Sequence, residues 1–197
     1  AIWDQNNLDL QLSLDQAPTQ SRARISAETR FSALGTEIHF QPSELKVLDK
    51  NWKFDPKNEI LISNGEIRIA SLSVFNEEQS LGVDGIISQN PDDILDLFFK
   101  DFGIDILNTL TTQEFLGSAN GAFQLINLLN EPTIEGDLFV DNTEINSFPI
   151  GNISASAKLL ANELILNLEN EINGQKKIDI NGIVGLEYQN LDLDAVL

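Results

Sequence analysis

The residue types that most often carry catalysis are scarce in this chain of 197 residues. It contains one histidine, His39, and neither cysteine nor methionine. A base-activated nucleophile and the common zinc sites both need more His or Cys side chains than this. His39 lies in Glu37-Ile38-His39-Phe40, on the side opposite Ile38 and Phe40, and we interpret it as a structural or surface residue. The composition therefore predicts no catalytic residue, no metal and no cofactor.

Paired carboxylates are the remaining route to an enzyme, since glycosidases use two of them. With 31 acidic residues in the chain, some pair falls at a plausible distance in any fold, so the pattern carries little information. Aromatic residues that stack on sugars are few: Trp3, Trp52 and Tyr188. A carbohydrate-active β enzyme remains a third and weak interpretation.

Two acidic turns and one glycine-rich turn resemble ligand loops only superficially. Asn90–Asp93 and Asp141–Glu144 offer oxygen atoms, but neither has the twelve-residue spacing of a calcium loop. The stretch Gly117–Gly121 lacks the lysine of a phosphate loop. Solvated turns explain all three segments.

The formal charge is -19, with 31 acidic and 12 basic residues. Nucleic acids and anionic lipid surfaces both require basic patches, so this charge argues against either as a docking partner. Acidic residues are scattered singly between apolar ones, which is typical of a solvated β surface.

Alternation of apolar and polar residues dominates the chain and predicts β-strands. Leu164, Leu166 and Leu168 recur at every second position, as do Ile178 and Ile180. We predict an all-β fold with a long antiparallel or mixed sheet. One segment, about 103–112, has the apolar spacing of a short helix. A further helical turn is predicted at about 92–94.

The chain also repeats itself, in quasi-repeats at about 36–95 and 134–197. Gly85 matches Gly182 and Glu66 matches Glu163, both at an offset of 97 residues. A glycine within a strand often marks a bend or bulge, so Gly85 and Gly182 predict matched points of curvature. We expect one elongated domain over 1–197 rather than two.

The alternating apolar face has two possible roles. In a sandwich it packs against a second sheet and forms a dry core. In an open curved sheet it forms a trough for a ligand rich in hydrocarbon, which needs area but no directional hydrogen bonds. Composition alone favours the dry core.

The order of motifs along the chain resembles the C-terminal region of the TamB family, in the AsmA-like superfamily. The family pattern is a strand containing glycine, a linker ending in proline, a strand of the form I-x-G-x-L-x-V, a glycine turn and a closing I-x-G. These elements read here as Gly121, Pro132, Ile134–Val140, Gly151 and Ile180–Gly182. The segment 58–88 repeats the likeness, which covers most of the chain from about residue 38.

The resemblance implies a β-taco, a long sheet curled along its axis with an apolar interior. It implies a periplasmic segment of a longer chain anchored in the inner membrane, with an Omp85-type outer-membrane barrel protein as partner and phospholipid as cargo. It implies no catalytic residues.

On this basis we predict that one set of apolar side chains lines a groove for lipid acyl chains, while Asp137, Asp141, Asp179, Asn181 and Glu187 face solvent. The predicted lining residues are Leu81, Val83, Ile87, Phe123, Leu125, Ile134, Leu138, Val140, Leu164, Leu166, Leu168, Ile178, Ile180 and Val184. The alternative is a structural or partner-binding β module for outer-membrane protein assembly with a closed dry core.

Overall fold

A computed structural model describes residues 2–4, 6–16, 21–47, 49–160, 162–185 and 191–196. Side chains are described for 6–15, 21–47, 49–160 and 162–185. The strands are β1 (Ile2–Asp4), β2 (Asn7–Gln16), β3 (Ser21–Ser32), β4 (Gly35–Phe40), β5 (Glu44–Val47), β6 (Lys50–Phe54), β7 (Glu59–Ser63), β8 (Glu66–Asn76), β9 (Gln79–Ile87), β10 (Ile94–Gly103), β11 (Phe115–Ile126), β12 (Thr133–Ile145), β13 (Phe148–Leu160), β14 (Glu163–Ile172), β15 (Gln175–Gly185) and β16 (Leu191–Val196).

The strands form one sheet in which chain neighbours are almost always sheet neighbours. Every pairing in the described part of the chain is antiparallel, so the predicted all-β fold is confirmed and the sheet is not mixed. The four short strands β4 to β7 occupy only two positions between β3 and β8. In the first, β4 and β5 pair with β3 one after the other. In the second, β6 and β7 both pair with β8.

The interruption of these two positions is organised by Asn58, the most deeply buried side chain described, with 1% of its surface exposed. Its amide oxygen accepts the backbone N–H of Phe40 at 2.6 Å, and its amide nitrogen donates to the carbonyl oxygens of Phe40 and Asp55. One side chain thus takes the place of ladder hydrogen bonds, since buried backbone groups must find partners. Pro42 and Pro56 lie in the two breaks, where no ladder donor is needed.

Three long strands carry β-bulges of the same construction. In each, a residue other than glycine has positive φ, and the next strand supplies a side-chain oxygen for its backbone N–H. The pairs are Ser71 with Asp84, Asp101 with Asn120, and Asn142 with Asn152. Each bulge lies farther along the strand direction than the one before it, in the order β8, β10 and β12. The three bulges therefore form a diagonal line across the sheet.

The sheet exposes much more surface than a compact domain of its mass. Its accessible area is 12583 Å², whereas the scaling for folded monomers gives roughly 9300 Å² for 21.8 kDa. Among the described residues, only Trp52, Ala119 and Val140 are fully buried apolar residues. A single sheet with two accessible faces explains both observations.

The sheet curls at the end where β6 begins and β10 ends. The rings of Trp52 on β6 and Phe102 on β10 have centroids 5.5 Å apart. These strands are separated by β8 and β9, and in a flat sheet they would lie about 14 Å apart. The contact therefore requires the sheet to bend toward the face that carries Trp52.

The short helix predicted at about 103–112 is present as a 3₁₀ helix of six residues, Ile104–Thr109. Helices of this type are usually short and often serve as connectors. The second local prediction was wrong. The predicted helical turn at 92–94 is a turn followed directly by β10, stabilised by hydrogen bonds from Ser88 and Asn90 to Asp93.

The starts of two matched strands reproduce the offset of 97 residues between the quasi-repeats. β8 begins at Glu66 and β14 at Glu163, and the matched parts of β9 and β15 present the same face. The two matched glycines differ, however. Gly85 has φ of 132° and lies beside the β8 bulge. The ladder at Gly182 is regular on both sides.

Candidate functional site: an apolar face of the sheet

The fourteen predicted lining residues all lie on one face of the sheet. Cross-strand partners point the same way, so the register assigns each side chain to a face. One row runs through Phe123, Gly136, Ala157, Leu166 and Gly182. The next runs through Leu81, Phe99, Gly121, Leu138, Ala155, Leu168 and Ile180. The other predicted lining residues lie in the neighbouring rows of the same face. We call this face of the sheet the apolar face.

These side chains are shielded only in part. Val140 is buried, with 6% of its surface exposed, and the other thirteen are half-buried. Side chains in a dry core interdigitate and lose nearly all their accessible surface. The apolar face is therefore a continuous aliphatic surface that its own sheet covers incompletely.

Several other members of the apolar face were not among the fourteen predicted lining residues. They are Ile67, Ile69, Leu72, Val74, Leu95, Leu97, Phe99, Phe102, Ile153 and Leu159. The alternation of Leu95, Leu97 and Phe99 was a usable signal for β10. The bulge in β8 hides the signal there, because it moves Leu72 out of phase with Ile69.

At the N-terminal end, the apolar face is most exposed on β2. Leu10, Leu12 and Leu14 have 41%, 52% and 58% of their surface exposed. They pair with Ala27, Ile25 and Ala23, whose side chains lie on the same face. The apolar face is thus accessible to solvent at these three leucines of β2.

The opposite face is charged, and we call it the polar face. Asp137, Asp141, Asp179 and Asn181 lie there by register, while Glu187 lies outside the described residues. Ion pairs such as Lys158–Glu135 and Lys176–Glu169 bridge its strands at 2.7 and 2.6 Å. These pairs are solvent-exposed and contribute little to stability one by one.

Two cations of the polar face are held in their charged form. The pKa of Lys176 is raised, chiefly by the hydrogen bond to Glu169 and then by that to Asp179. The pKa of Arg22 is raised, chiefly by its hydrogen bond to Asp15. Because both values lie above those of the unfolded chain, this stabilisation is complete below the unfolded pKa and is lost only at strongly alkaline pH.

One end of the apolar face is covered by the 3₁₀ helix. The Lys50 ammonium lies 3.0 Å from an Asp105 carboxylate oxygen. Ile104 and Val140 approach Gly117 so closely that a Cβ there would lie within 3.3 Å of both side chains. Among the described side chains, Lys50–Asp105 is the one ion pair on the apolar face, and it joins β6 to the segment after β10.

We expect Asp105→Asn to speed amide hydrogen exchange at Leu110 and Thr111, whose N–H groups bond the Leu107 carbonyl. A pair that is about one-third exposed contributes less than about 1 kcal/mol, so the increase should be up to about fivefold. Mass spectrometry of exchanged peptides measures it.

Asp137→Asn, which removes the same charge from the polar face, is the matched control and should leave exchange in the 3₁₀ helix unchanged. Lys50→Gln should reproduce the effect of Asp105→Asn, and the double variant should add nothing further. Additive effects in the double variant would show that the two side chains do not act as a pair.

His39 lies on the polar face, and its Nδ1 is 2.9 Å from the Asn58 carbonyl oxygen. Its Nε2 lies 3.7 Å from a Glu59 carboxylate oxygen. Within the described part of the chain, no three His, Cys, Asp or Glu side chains are arranged to hold a metal ion. The predicted structural role of His39 is consistent with these contacts.

No family model, curated protein or solved structure matches this chain significantly. Among the described residues there is also no helix long and apolar enough to cross a membrane.

Proposed function

We propose that this chain is a segment of a TamB-like bridge between membranes, in which the apolar face shields phospholipid acyl chains. The observation that supports this most directly is the position of fourteen half-buried or buried aliphatic and aromatic side chains on one face of a single sheet. Hydrocarbon requires apolar area and no hydrogen-bond partner, and each buried methylene contributes about 0.8 kcal/mol.

The distribution of charge supports the same role. Charged residues on the polar face keep the outside of the sheet wetted, while the apolar face holds a single ion pair among the described side chains, at its covered end. A lipid lying along the sheet would meet aliphatic surface on several consecutive strands. Its headgroup would remain in water at the open side of the trough.

The alternative, a partner-binding module with a closed dry core, has less support. Such a core would bury most of the apolar face, whereas the described residues include only three fully buried apolar side chains. The periplasmic location, the Omp85-type partner and the membrane anchor in a longer chain depend on the family resemblance. They are part of the proposal on that ground.

Site-specific photo-crosslinking tests the lipid proposal. A photoreactive amino acid at Leu138 or Leu166 should crosslink phospholipid when the fragment is expressed in the periplasm of a Gram-negative host. The same amino acid at Phe139 or Asn167, the next residues on the polar face, is the matched control. Lipid extraction followed by native mass spectrometry gives an independent measure of bound phospholipid.

Crosslinking that is absent from both apolar positions, together with a lipid-free fragment, would contradict the proposal and favour the closed module. Equal crosslinking from both faces would indicate unspecific adhesion. Hydrolysis of a polysaccharide that is abolished by one carboxylate substitution would instead revive the enzyme interpretation.

A further inference from the structure

A cleft opens on the polar face where the strands β4–β5 and β6–β7 are interrupted side by side. Its volume is about 590 Å³, within the range of small-molecule sites. The lining residues are His39, Phe40, Gln41, Pro42, Ser43, Lys53, Phe54, Pro56 and Phe75. None of the fourteen predicted lining residues borders the cleft, and His39, Lys53 and Phe75 lie on the side of the sheet opposite to them.

Aromatic and proline side chains give the cleft an apolar floor and walls. The rings of Phe40 and Phe54 stack with centroids 4.8 Å apart and planes 10° from parallel. These two residues belong to the apolar face by register, so they close the interruption from that side. Phe75 is 37% exposed, which leaves an accessible edge on the outer side. Flat apolar groups pack well against such surfaces.

The opening is a built feature of the fold. Asn58 fixes both sides of the interruption through hydrogen bonds to the backbone of Phe40 and Asp55. Two prolines occupy the breaks and cannot donate the hydrogen bonds that would zip the strands together. The cleft is therefore present before any ligand arrives, which lowers the entropic cost of binding.

The cleft also contains a cation that pairs with no carboxylate among the described side chains. Within that part of the chain, nine of the twelve Lys and Arg side chains form ion pairs. Lys53 forms none with the carboxylates that the structure describes. The imidazole of His39 already faces the Glu59 carboxylate. Lys53 is the one lysine or arginine among the lining residues, so it supplies the positive charge that a ligand can use.

We infer that this cleft binds a small aromatic carboxylic acid, with its ring against Phe40, Phe54 and Phe75 and its carboxylate paired with Lys53. The inference goes beyond lipid shielding, since none of the fourteen predicted lining residues borders this cleft. Ring and charge together make the site selective: a neutral ring loses the ion pair, and a hydrophilic anion loses the apolar contact.

The single histidine makes the test specific to this cleft. The imidazole carbon-bound protons of His39 give one set of NMR signals, and these should shift saturably during titration of the whole chain with 3-phenylpropionate. Lys53→Gln should weaken binding about three- to fivefold, as expected for one exposed ion pair. Phe75→Ser should weaken it as well, by removing one wall.

Two controls separate this site from unspecific binding. Lys177→Gln removes another lysine that pairs with no carboxylate among the described side chains and bonds Gln175, and it should leave the affinity unchanged. The neutral isostere 3-phenylpropionamide should bind more weakly than the acid. No saturable shift of the His39 signals up to about 10 mM acid, or equal affinity of Lys53→Gln and the parent chain, would overturn the inference.

Discussion

Replacing Leu166 by aspartate should lower the phospholipid bound per chain at least tenfold. The residue lies on the apolar face in β14, and its cross-strand neighbours in the same row are Ala157 and Gly182. Leu166 is therefore taller than both of its neighbours, and a carboxylate in its place would face any acyl chain in the trough. An unpaired charge against hydrocarbon costs several kcal/mol, and 1.4 kcal/mol already corresponds to a factor of ten.

The same neighbours explain why this variant should still fold. A side chain flanked by Ala157 and Gly182 and only half-buried leaves the aspartate accessible to water when the trough is empty. Asn167→Asp, one residue along β14 on the polar face, adds the same charge and should retain full lipid content. Quantitative lipid extraction from the purified chains compares them. Equal lipid content in the two variants would contradict a lipid role for the apolar face.

Asn58→Ala should destabilise the fold by about 3 kcal/mol, the largest effect expected of any polar substitution among the described residues. The change leaves the N–H and the carbonyl of Phe40 without their side-chain partner, whereas the Asp55 carbonyl keeps its bond from the backbone N–H of residue 58. Each buried backbone group left unsatisfied costs about 1–3 kcal/mol. Water that enters the space left by the side chain can bond these groups and reduce that cost. Urea unfolding followed by circular dichroism measures the loss.

Asn181→Ala provides the comparison for that experiment. Asn181 is exposed on the polar face and, among the described side chains, bonds the Asp179 carboxylate, so its removal should change the free energy of unfolding by less than about 0.5 kcal/mol. A loss below about 1 kcal/mol for Asn58→Ala would mean that the interruption is not held by this side chain.

The sequence predicted the faces of the sheet well because strand geometry leaves little freedom. Side chains alternate with a period of two, so Leu164, Leu166 and Leu168 must share a face once β14 forms. Hairpin connections then set the register of the neighbouring strands, and the polar partners on the other side forbid a slip by one residue. The matched residues of the two quasi-repeats show the same alternation, so the assignment of side chains to faces is supported twice.

The interruptions and bulges could not be predicted in the same way. Each depends on a residue from another strand, as when Asn120 accepts the N–H of Asp101 or Asn58 joins the two breaks. Nothing in the local sequence of Asp101 distinguishes it from an ordinary strand residue. Of the three bulge residues, Asn142 is the type that adopts positive φ most readily. Ser71 nevertheless has positive φ as well, so residue type alone does not identify the bulges.

The covered end and the cleft depend on contacts between distant parts of the chain. The ion pair of Lys50 and Asp105 spans 55 positions, and its members belong to segments that share no local pattern. The cleft requires that the break after Phe40 and the break after Phe54 fall beside each other in the sheet. Such coincidences follow from register across several strands, which a single sequence does not reveal.

The spacing of the matched strands also sets a length. Strands lie about 4.8 Å apart, and β8 and its match β14 are six positions apart in the sheet, so one repeat advances the sheet by about 29 Å. A bilayer core of about 30 Å allots about 15 Å to each lipid, measured along its tails. If tails lie across the strands, one repeat matches roughly two lipids, and the fourteen consecutive strand positions would hold about four molecules in single file. Lengthening such a chain by one repeat would then add room for about two more lipids.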